Sequence, residues 1–211
     1  MLASVVAAAV AYAIGSVPVA YLAGRLTGVD LRERGSGNVG ASNVWQSASR
    51  WLVVPVGLAQ ITQGAGAVAV GWAFDQGDGM IIACGIAAVV AHDWNPWLGF
   101  EGGRGIGATI GVLLAAGAWE VLAVFIVISV IGIPRAVPLM MAMGLVAMPL
   151  AAPFAGYDAE VVAGLAALAA IAFAKRLTAN GPPDASAPRD VWLNRLVFDR
   201  DIRDREAWVR R

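Results

Sequence analysis

The sequence predicts an all-α protein, a polytopic membrane bundle of about seven transmembrane helices with its N-terminus outside and its C-terminus in the cytoplasm. Three observations carry that expectation. Of 211 residues, 59% are hydrophobic and 14% charged, and the mean hydropathy is +0.69, the composition of a membrane chain rather than a soluble domain. Apolar runs lie at roughly 2–24, 51–73, 79–92, 106–118, 119–133, 136–154 and 158–174, and a helix needs about 20 apolar residues to cross a hydrocarbon core, fewer where loops dip inward. The charges also segregate. Seven crossings place Arg25, Arg32, Arg34, Arg50, Arg104, Arg135, Lys175, Arg176 and the basic tail from Arg189 to Arg211 on one side, and Asp75, Asp78, Glu120, Asp158 and Glu160 on the other. Lys and Arg are retained in the cytoplasm during insertion, which sets the orientation. Moving or deleting one helix spoils the pattern, so the number of spans is expected to be odd.

The first run has no Lys or Arg before it and continues without a clear cleavage site into Tyr21-Leu-Ala-Gly-Arg25, so it reads as a retained helix rather than a removed signal peptide. In the second run Gln60 and Gln63 share a helical face, and uncharged amides at that depth read as groups that join helices by hydrogen bonds. The third run holds Cys84, the single cysteine, which excludes an intrachain disulfide and reads as a buried, inert thiol. His92, the single histidine, stands at the end of this run beside Trp94 and Trp97, two residues typical of the interfacial belt. One histidine makes no zinc site by itself. It reads as a proton carrier, a phosphate hydrogen-bond donor or a structural residue at a helix end. The richness of the chain in Ala and Gly suits close helix packing in lipid. After residue 176 an Ala-Asn-Gly-Pro-Pro-Asp-Ala-Ser-Ala-Pro linker leads to a stretch in which Trp192, Leu193, Leu196, Val197 and Ile202 form an apolar stripe. That stretch reads either as a surface-lying helix or as a helix packed on the protein's own loops. The chain is thus expected to divide into a membrane domain, 1–176, and a cytoplasmic linker with a basic, amphipathic tail, 177–211.

Two glycine-rich loops open onto the basic side. In Arg34-Gly-Ser-Gly-Asn-Val-Gly-Ala-Ser-Asn43 the glycines let backbone N–H groups converge as a phosphate nest, with side-chain donors from Ser36, Asn38, Ser42 and Asn43 and positive charge from Arg32 and Arg34. A plain turn between two helices is the rival reading. Gly99-Phe-Glu-Gly-Gly-Arg-Gly-Ile-Gly-Ala-Thr109 runs directly into an apolar helix whose N-terminus favours an anion. It lacks the spacing and the Lys-Ser/Thr of a P-loop, which argues against nucleoside triphosphates. No Ser-His-Asp arrangement or paired intramembrane carboxylates emerge, so a covalent serine mechanism has little support.

Taken together, Gly15-Ser-Val-Pro18, Tyr21-Leu-Ala-Gly-Arg25, Asp30-Leu-Arg32, Gly35-Ser-Gly-Asn-Val-Gly-Ala-Ser-Asn43, His92, Pro96 and Gly102-Gly-Arg-Gly105 resemble, in order and spacing across residues 12–113, the bacterial acyl-phosphate-dependent glycerol-3-phosphate acyltransferases, small seven-helix membrane enzymes. The resemblance implies transfer of a fatty acyl group from acyl phosphate, not acyl-CoA, to the 1-hydroxyl of glycerol 3-phosphate or a related phosphorylated acceptor. The products would be lysophosphatidic acid and phosphate, for phospholipid synthesis. It implies no cofactor, no metal and no nucleic acid, membrane lipid as a partner, and a multi-pass protein of the inner (plasma) membrane with a cytoplasmic active site. It assigns phosphate holding to Ser36, Asn38 and Asn43 with the backbone of Gly35, Gly37 and Gly40, beside which Arg32 and Arg34 are phosphate-binding candidates by their charge. It assigns binding of the donor phosphate to Arg104, close backbone approach to Gly102, Gly103 and Gly105, and hydrogen bonding to His92. Ser36, Arg104 and His92 are the catalytic candidates.

This chain departs from the family pattern at several cations. Gln46 stands where Arg is usual, Gln60-Ile-Thr-Gln63-Gly64 replaces Asp-x-x-Lys-Gly, Glu101 replaces Lys, and Arg104 replaces Lys. The family's C-terminal Arg-His-x-x-Asn segment is matched only loosely by Arg189-Asp-Val-Trp-Leu-Asn-Arg195-Leu196, and no role is carried over to it. A divergent paralogue that binds a phosphorylated lipid or metabolite without acyl transfer, and a small transporter, are the rival functions. Against transport, no ionisable residue falls securely in mid-membrane.

Overall fold

The computed structural model describes residues 1–131, 136–183 and 187–209, and among them every regular element is helical. Arg135, Arg210 and Arg211 of the charge pattern, and residues 184–186 of the linker, lie outside the described residues. The chain forms two compact units, Met1–Ala118 and Trp119–Arg211.

In the first unit α1 (Leu2–Ser16) breaks at Val17-Pro18 and resumes as α2 (Val19–Leu26). Pro18 has no N–H and its ring opposes a continuous helix, which leaves the carbonyls ahead of it without helical partners. Side-chain amides take them up. Gln63 Nε2 donates to the carbonyls of Ile14 and Val17, both at 2.9 Å, and Asn95 Nδ2 donates to that of Ser16 at 2.7 Å. Gln63 lies on α4 (Val53–Ala73), so this amide joins helices as the sequence suggested. The short α3 (Ala41–Ser47) precedes α4, and α5 (Asp78–Asp93) and α6 (Ile106–Ala115) follow it. Close approach of α4 to α6 depends on glycine: a methyl on Gly64 would fall on the carbonyl of Ala108, and one on Gly111 on that of Ile61. Ala7, Ala11, Ala67, Cys84 and Ala88 form a fully buried cluster of small residues from α1, α4 and α5.

The unit has two chemically distinct ends. At one, Ser4 near the start of α1 donates to Gln76 in the α4–α5 loop, close to Asp75 and Asp78. At the other, Leu31, Val39, Val44, Val56 and Leu98 pack with Ala20 and Ala23. Arg25, Arg32, Arg34, Arg50 and Arg104, all the basic residues of this unit apart from His92, fall on the segments of that second end.

The second unit contains α7 (Trp119–Ile131), α8 (Val137–Ala151, extended by a 3-10 turn over Ala152–Ala155), α9 (Ala159–Thr178), α10 (Val191–Phe198) and α11 (Arg205–Val209). The side chain of Phe125 on α7 packs against Gly144 of α8. Here the tail helix α10 packs on α8 and α9, and its Arg195 is wholly buried. The guanidinium pairs with both carboxylate oxygens of Asp201, at 2.8 and 3.0 Å, and donates to the carbonyls of Leu177 and Gly181 at the end of α9. A buried guanidinium needs this full set of acceptors, because an unpaired buried charge costs several kcal/mol, on the order of 3 to 5.

A helix lies in each of the seven apolar runs. Leu2–Leu26, Val53–Ala73, Val137–Ala155 and Ala159–Thr178 are long and apolar enough to cross a bilayer, whereas Ile106–Ala115 and Trp119–Ile131 are shorter apolar helices. The run expected at 106–118 ends its helix at Ala115 because Gly117, at φ +70°, turns the chain.

Candidate active site at the seam of two glycine loops

Residues 30–40 form the first loop, and its organiser is Asn43 on the first turn of α3. This side chain is fully buried. Its Nδ2 lies 2.9 Å from the carbonyls of Leu31 and Arg34 and 3.0 Å from that of Asn38, and its Oδ1 accepts from Ser47 Oγ at 2.9 Å and from the Ser36 N–H at 3.4 Å. One amide thus substitutes for the backbone ladder that a loop lacks. Gly35 and Gly37 turn the chain at φ +61° and +71°, and a side chain at Gly35 would strike Asn43 and Ser47. Gly40 caps α3 in an extended conformation.

Asn43 is therefore committed to the loop, while Ser36 and Asn38 sit on its rim, half-buried. Ser36 Oγ accepts from the Asn38 N–H at 3.4 Å. Asn38 Oδ1 is buried without a hydrogen-bond partner among the described residues, an acceptor left open in a site otherwise rich in donors.

Arg32 is engaged by Asp30 and Tyr21. Its Nε and Nη2 donate to the two oxygens of Asp30 at 3.0 and 2.7 Å, and its guanidinium stacks 5.1 Å from the centre of the Tyr21 ring. The Arg32 hydrogen bond holds the Asp30 carboxyl at about 2, below its ordinary 3.8. Asp30 in turn raises the Arg32 pKa further above its already high value, with a smaller push from Glu101 of the second loop. Arg34 takes another direction, lining an open cleft of about 500 Å³ with Arg25, Asp30, Glu33, Gly35 and Ser47. Arg50 lies over the Trp51 ring, 4.9 Å from its centre.

The second loop rests on the end of α5. The Gly103 N–H donates to the His92 carbonyl at 3.2 Å, and a side chain at Gly103 would collide with the His92 ring. Gly102 lies as closely against the His92 and Asp93 carbonyls. Gly105, at φ +65°, caps α6 and passes over the fully buried Asp93, whose carboxylate oxygens lie 3.0 and 3.1 Å from the position of a Cβ there. Arg104 is carried between these anchored glycines, half-buried.

The two loops meet. The Val39 N–H donates to the Gly102 carbonyl at 3.3 Å, and Val39, Gly102, Gly103 and His92 line a small pocket with Pro18 and Asn95. The structure thereby brings Ser36, Asn38, His92, Gly102, Gly103 and Arg104 to one end of the first unit. Sequence reasoning did not single out Asp93, Ser47 or Asn95. Asn95 belongs to the stretch Ala91-His-Asp-Trp-Asn-Pro-Trp97, where an Asn before Pro signals a turn, but its reach to the Ser16 carbonyl is a tertiary fact.

A glycerol-3-phosphate acyltransferase family model matches residues 5–180. Glycerol-3-phosphate acyltransferase 5 of Dehalococcoides mccartyi is 30% identical over 216 aligned residues, covering 98% of this chain and 93% of that one. The glycerol-3-phosphate acyltransferase of Geobacter sulfurreducens is 35% identical over 151 residues, 71% of this chain and 78% of its own length. The crystal structure of PlsY, an integral membrane glycerol 3-phosphate acyltransferase, in its glycerol 3-phosphate form superposes with a TM-score of 0.75 at 27% identity, covering 82% of this chain and 88% of that one. Matched through both glycine loops and in fold, this chain belongs to the glycerol-3-phosphate acyltransferase family and is an integral membrane acyltransferase.

Proposed function

We propose that the chain transfers a fatty acyl group from acyl phosphate to the 1-hydroxyl of glycerol 3-phosphate at the seam of the two loops. The observation that carries this reading is the Val39–Gly102 hydrogen bond, which puts the rim of the first loop beside the glycines that flank Arg104. Acyl phosphate already carries a good leaving group, so the protein's task is to position two substrates and stabilise developing charge. Arg104 binds the donor phosphate, and as an arginine it offers the planar, bidentate contact that the usual lysine does not. Asn38 Oδ1 accepts from the acceptor's hydroxyl and orients it, and Ser36 and the loop N–H groups hold phosphate oxygens. The hydroxyl oxygen attacks the acyl carbonyl, the bond between acyl carbon and phosphate oxygen breaks, and the proton leaves with the departing phosphate. The products are lysophosphatidic acid and hydrogen phosphate. His92, packed against Gly103, keeps the second loop in register and donates a hydrogen bond to the leaving group.

In this reading the protein crosses the cell membrane seven times, with the N-terminus outside, the C-terminus and active site cytoplasmic, residues 1–176 as the membrane domain and 177–211 as the cytoplasmic tail. The charge segregation within the first unit supports it. The test is direct. Purified protein in lipid, given acyl phosphate and glycerol 3-phosphate, should release phosphate and form lysophosphatidic acid. Ser36→Ala, Asn38→Ala and Arg104→Ala should each lower turnover by roughly tenfold or more, the range expected for one charge-assisted or oriented hydrogen bond. Full rates in all three variants would remove this site assignment.

A further inference from the structure

Arg25, Asp30, Glu33 and Arg34 bring their charges to the cleft of about 500 Å³ beside the first loop. Asp30 is occupied there, since Arg32 pairs both of its oxygens. The other three are available. Among the described residues neither the Arg34 guanidinium nor the Glu33 carboxylate makes a hydrogen bond or ion pair, and Arg25 approaches only Asp30, at 4.0 Å. None of the residues lining this cleft lines the pocket at the seam of the two loops, where Val39, His92 and Gly103 meet. The proposed reaction leaves the cleft unused.

The cleft also lies at a defined depth. It stands at the end of Leu2–Leu26, a segment of 25 residues long and apolar enough to cross a bilayer. At about 1.5 Å per residue that segment measures at most about 37 Å, against a hydrocarbon core of about 30 Å, so its end falls at the level of the lipid headgroups. Trp45 and Trp51, exposed on the segments that follow, suit the same belt. On α2, Leu22, Arg25 and Leu26 have the i, i+3, i+4 spacing of one helical face, and both leucines are exposed. Apolar surface therefore continues from the lip of the cleft toward the bilayer core. We propose that the cleft seats the headgroup of a bilayer phospholipid, of the class whose phosphodiester carries a primary ammonium: Arg25 and Arg34 hold the phosphate, Glu33 takes the ammonium, and an acyl chain runs along Leu22 and Leu26. This site is separate from the acyl-transfer seam and goes beyond the acyltransferase reading. The mixed lining is selective. Two guanidiniums attract any phosphate, whereas the carboxylate repels an anionic headgroup and pairs with a cationic one that donates hydrogen bonds.

The test uses the full chain, delipidated in detergent and titrated with phosphatidylethanolamine, phosphatidylglycerol or phosphatidylcholine, with lipid bound per chain read by native mass spectrometry. Phosphatidylethanolamine should bind more tightly than either of the others by about two- to fivefold, the range of one exposed ion pair. The double change Arg25→Gln, Arg34→Gln should weaken all three lipids by about tenfold or more. Glu33→Gln should abolish the preference for phosphatidylethanolamine over phosphatidylglycerol. All three residues are exposed, and gel filtration checks that the variants fold alike. Lipid binding indifferent to the double arginine change overturns the site. Equal binding of the three lipids, or a preference that survives Glu33→Gln, overturns the headgroup selectivity. Glycerophosphoethanolamine, the same headgroup without acyl chains, separates the two sources of this chemistry: it should not displace the lipid at equal concentration, and displacement would overturn the lipid assignment in favour of a soluble phosphodiester. Binding is read without an acyl donor, so the outcome is independent of turnover.

Discussion

Asn43 shows what one buried amide does for a loop without a ladder: three carbonyls and a serine hydroxyl converge on it. The sequence groups it with the phosphate donors, because Asn in a Gly/Ser segment serves either a ligand or the backbone and composition does not separate the two. For Ser36, Asn38 and the loop glycines the sequence left a phosphate nest and a plain turn side by side, and their half-buried placement comes from the structure. The pairing of Asp30 with Arg32 was legible only as a motif, and its electrostatic consequence belongs to this scale. The folded-state pKa of Asp30, about 2, lies below the ordinary 3.8. Its stabilisation is therefore fully present above about pH 3.8 and is lost as pH falls through about 2. Thermal denaturation followed from pH 7 to pH 2 should show Asp30→Asn less stable than the parent at neutral pH, with the gap closing only at the acid end. A gap that is already absent at pH 5 would mean the pair does not stabilise the loop.

At the scale of elements, the seven apolar runs foretold where helices form, since hydrophobic continuity is a local property. Their breaks were less accessible. Pro18 announces an interruption, but the amides that accept its consequences come from positions 63 and 95, far along the chain. Gln63 and Gln60 sharing a face suggested helix joining, and Gln63 reaches α1 as an amide should. Helix α3 was hidden inside a segment that reads as a turn, because its seven residues have no apolar period of their own. Replacing Gln63 by Leu removes the amide donor from the Ile14 and Val17 carbonyls, which keep only the Val17 and Val19 N–H groups at 3.4 and 2.9 Å, and each hydrogen bond lost costs about 0.5–1.5 kcal/mol. Gln63→Leu should therefore lower the melting temperature in detergent by about 2–4 °C for each kcal/mol lost. A Leu variant as stable as the parent would show that water or lipid headgroups replace the amide.

For the molecule as a whole, the charge pattern could be read from sequence because retention of Lys and Arg depends on loop composition rather than tertiary detail. The division into two compact units at Ala118/Trp119 and the anchoring of the tail through Arg195 were not legible. The partners of Arg195 at Leu177, Gly181 and Asp201 converge only after folding. Orientation is open to a direct measurement. With an impermeant maleimide on intact cells, Gly77→Cys, placed where a side chain meets nothing within 4 Å, should react from outside. Arg189→Cys, on the exposed start of the tail, should react only after permeabilisation. The opposite pattern would invert the proposed topology.

The buried Cys84 gives that experiment its footing. As the sole thiol in the chain and wholly enclosed among alanines, it provides a silent background. Fluorophores, spin labels or crosslinkers attached at an engineered position therefore report from that position alone, and no cysteine-free template has to be built first.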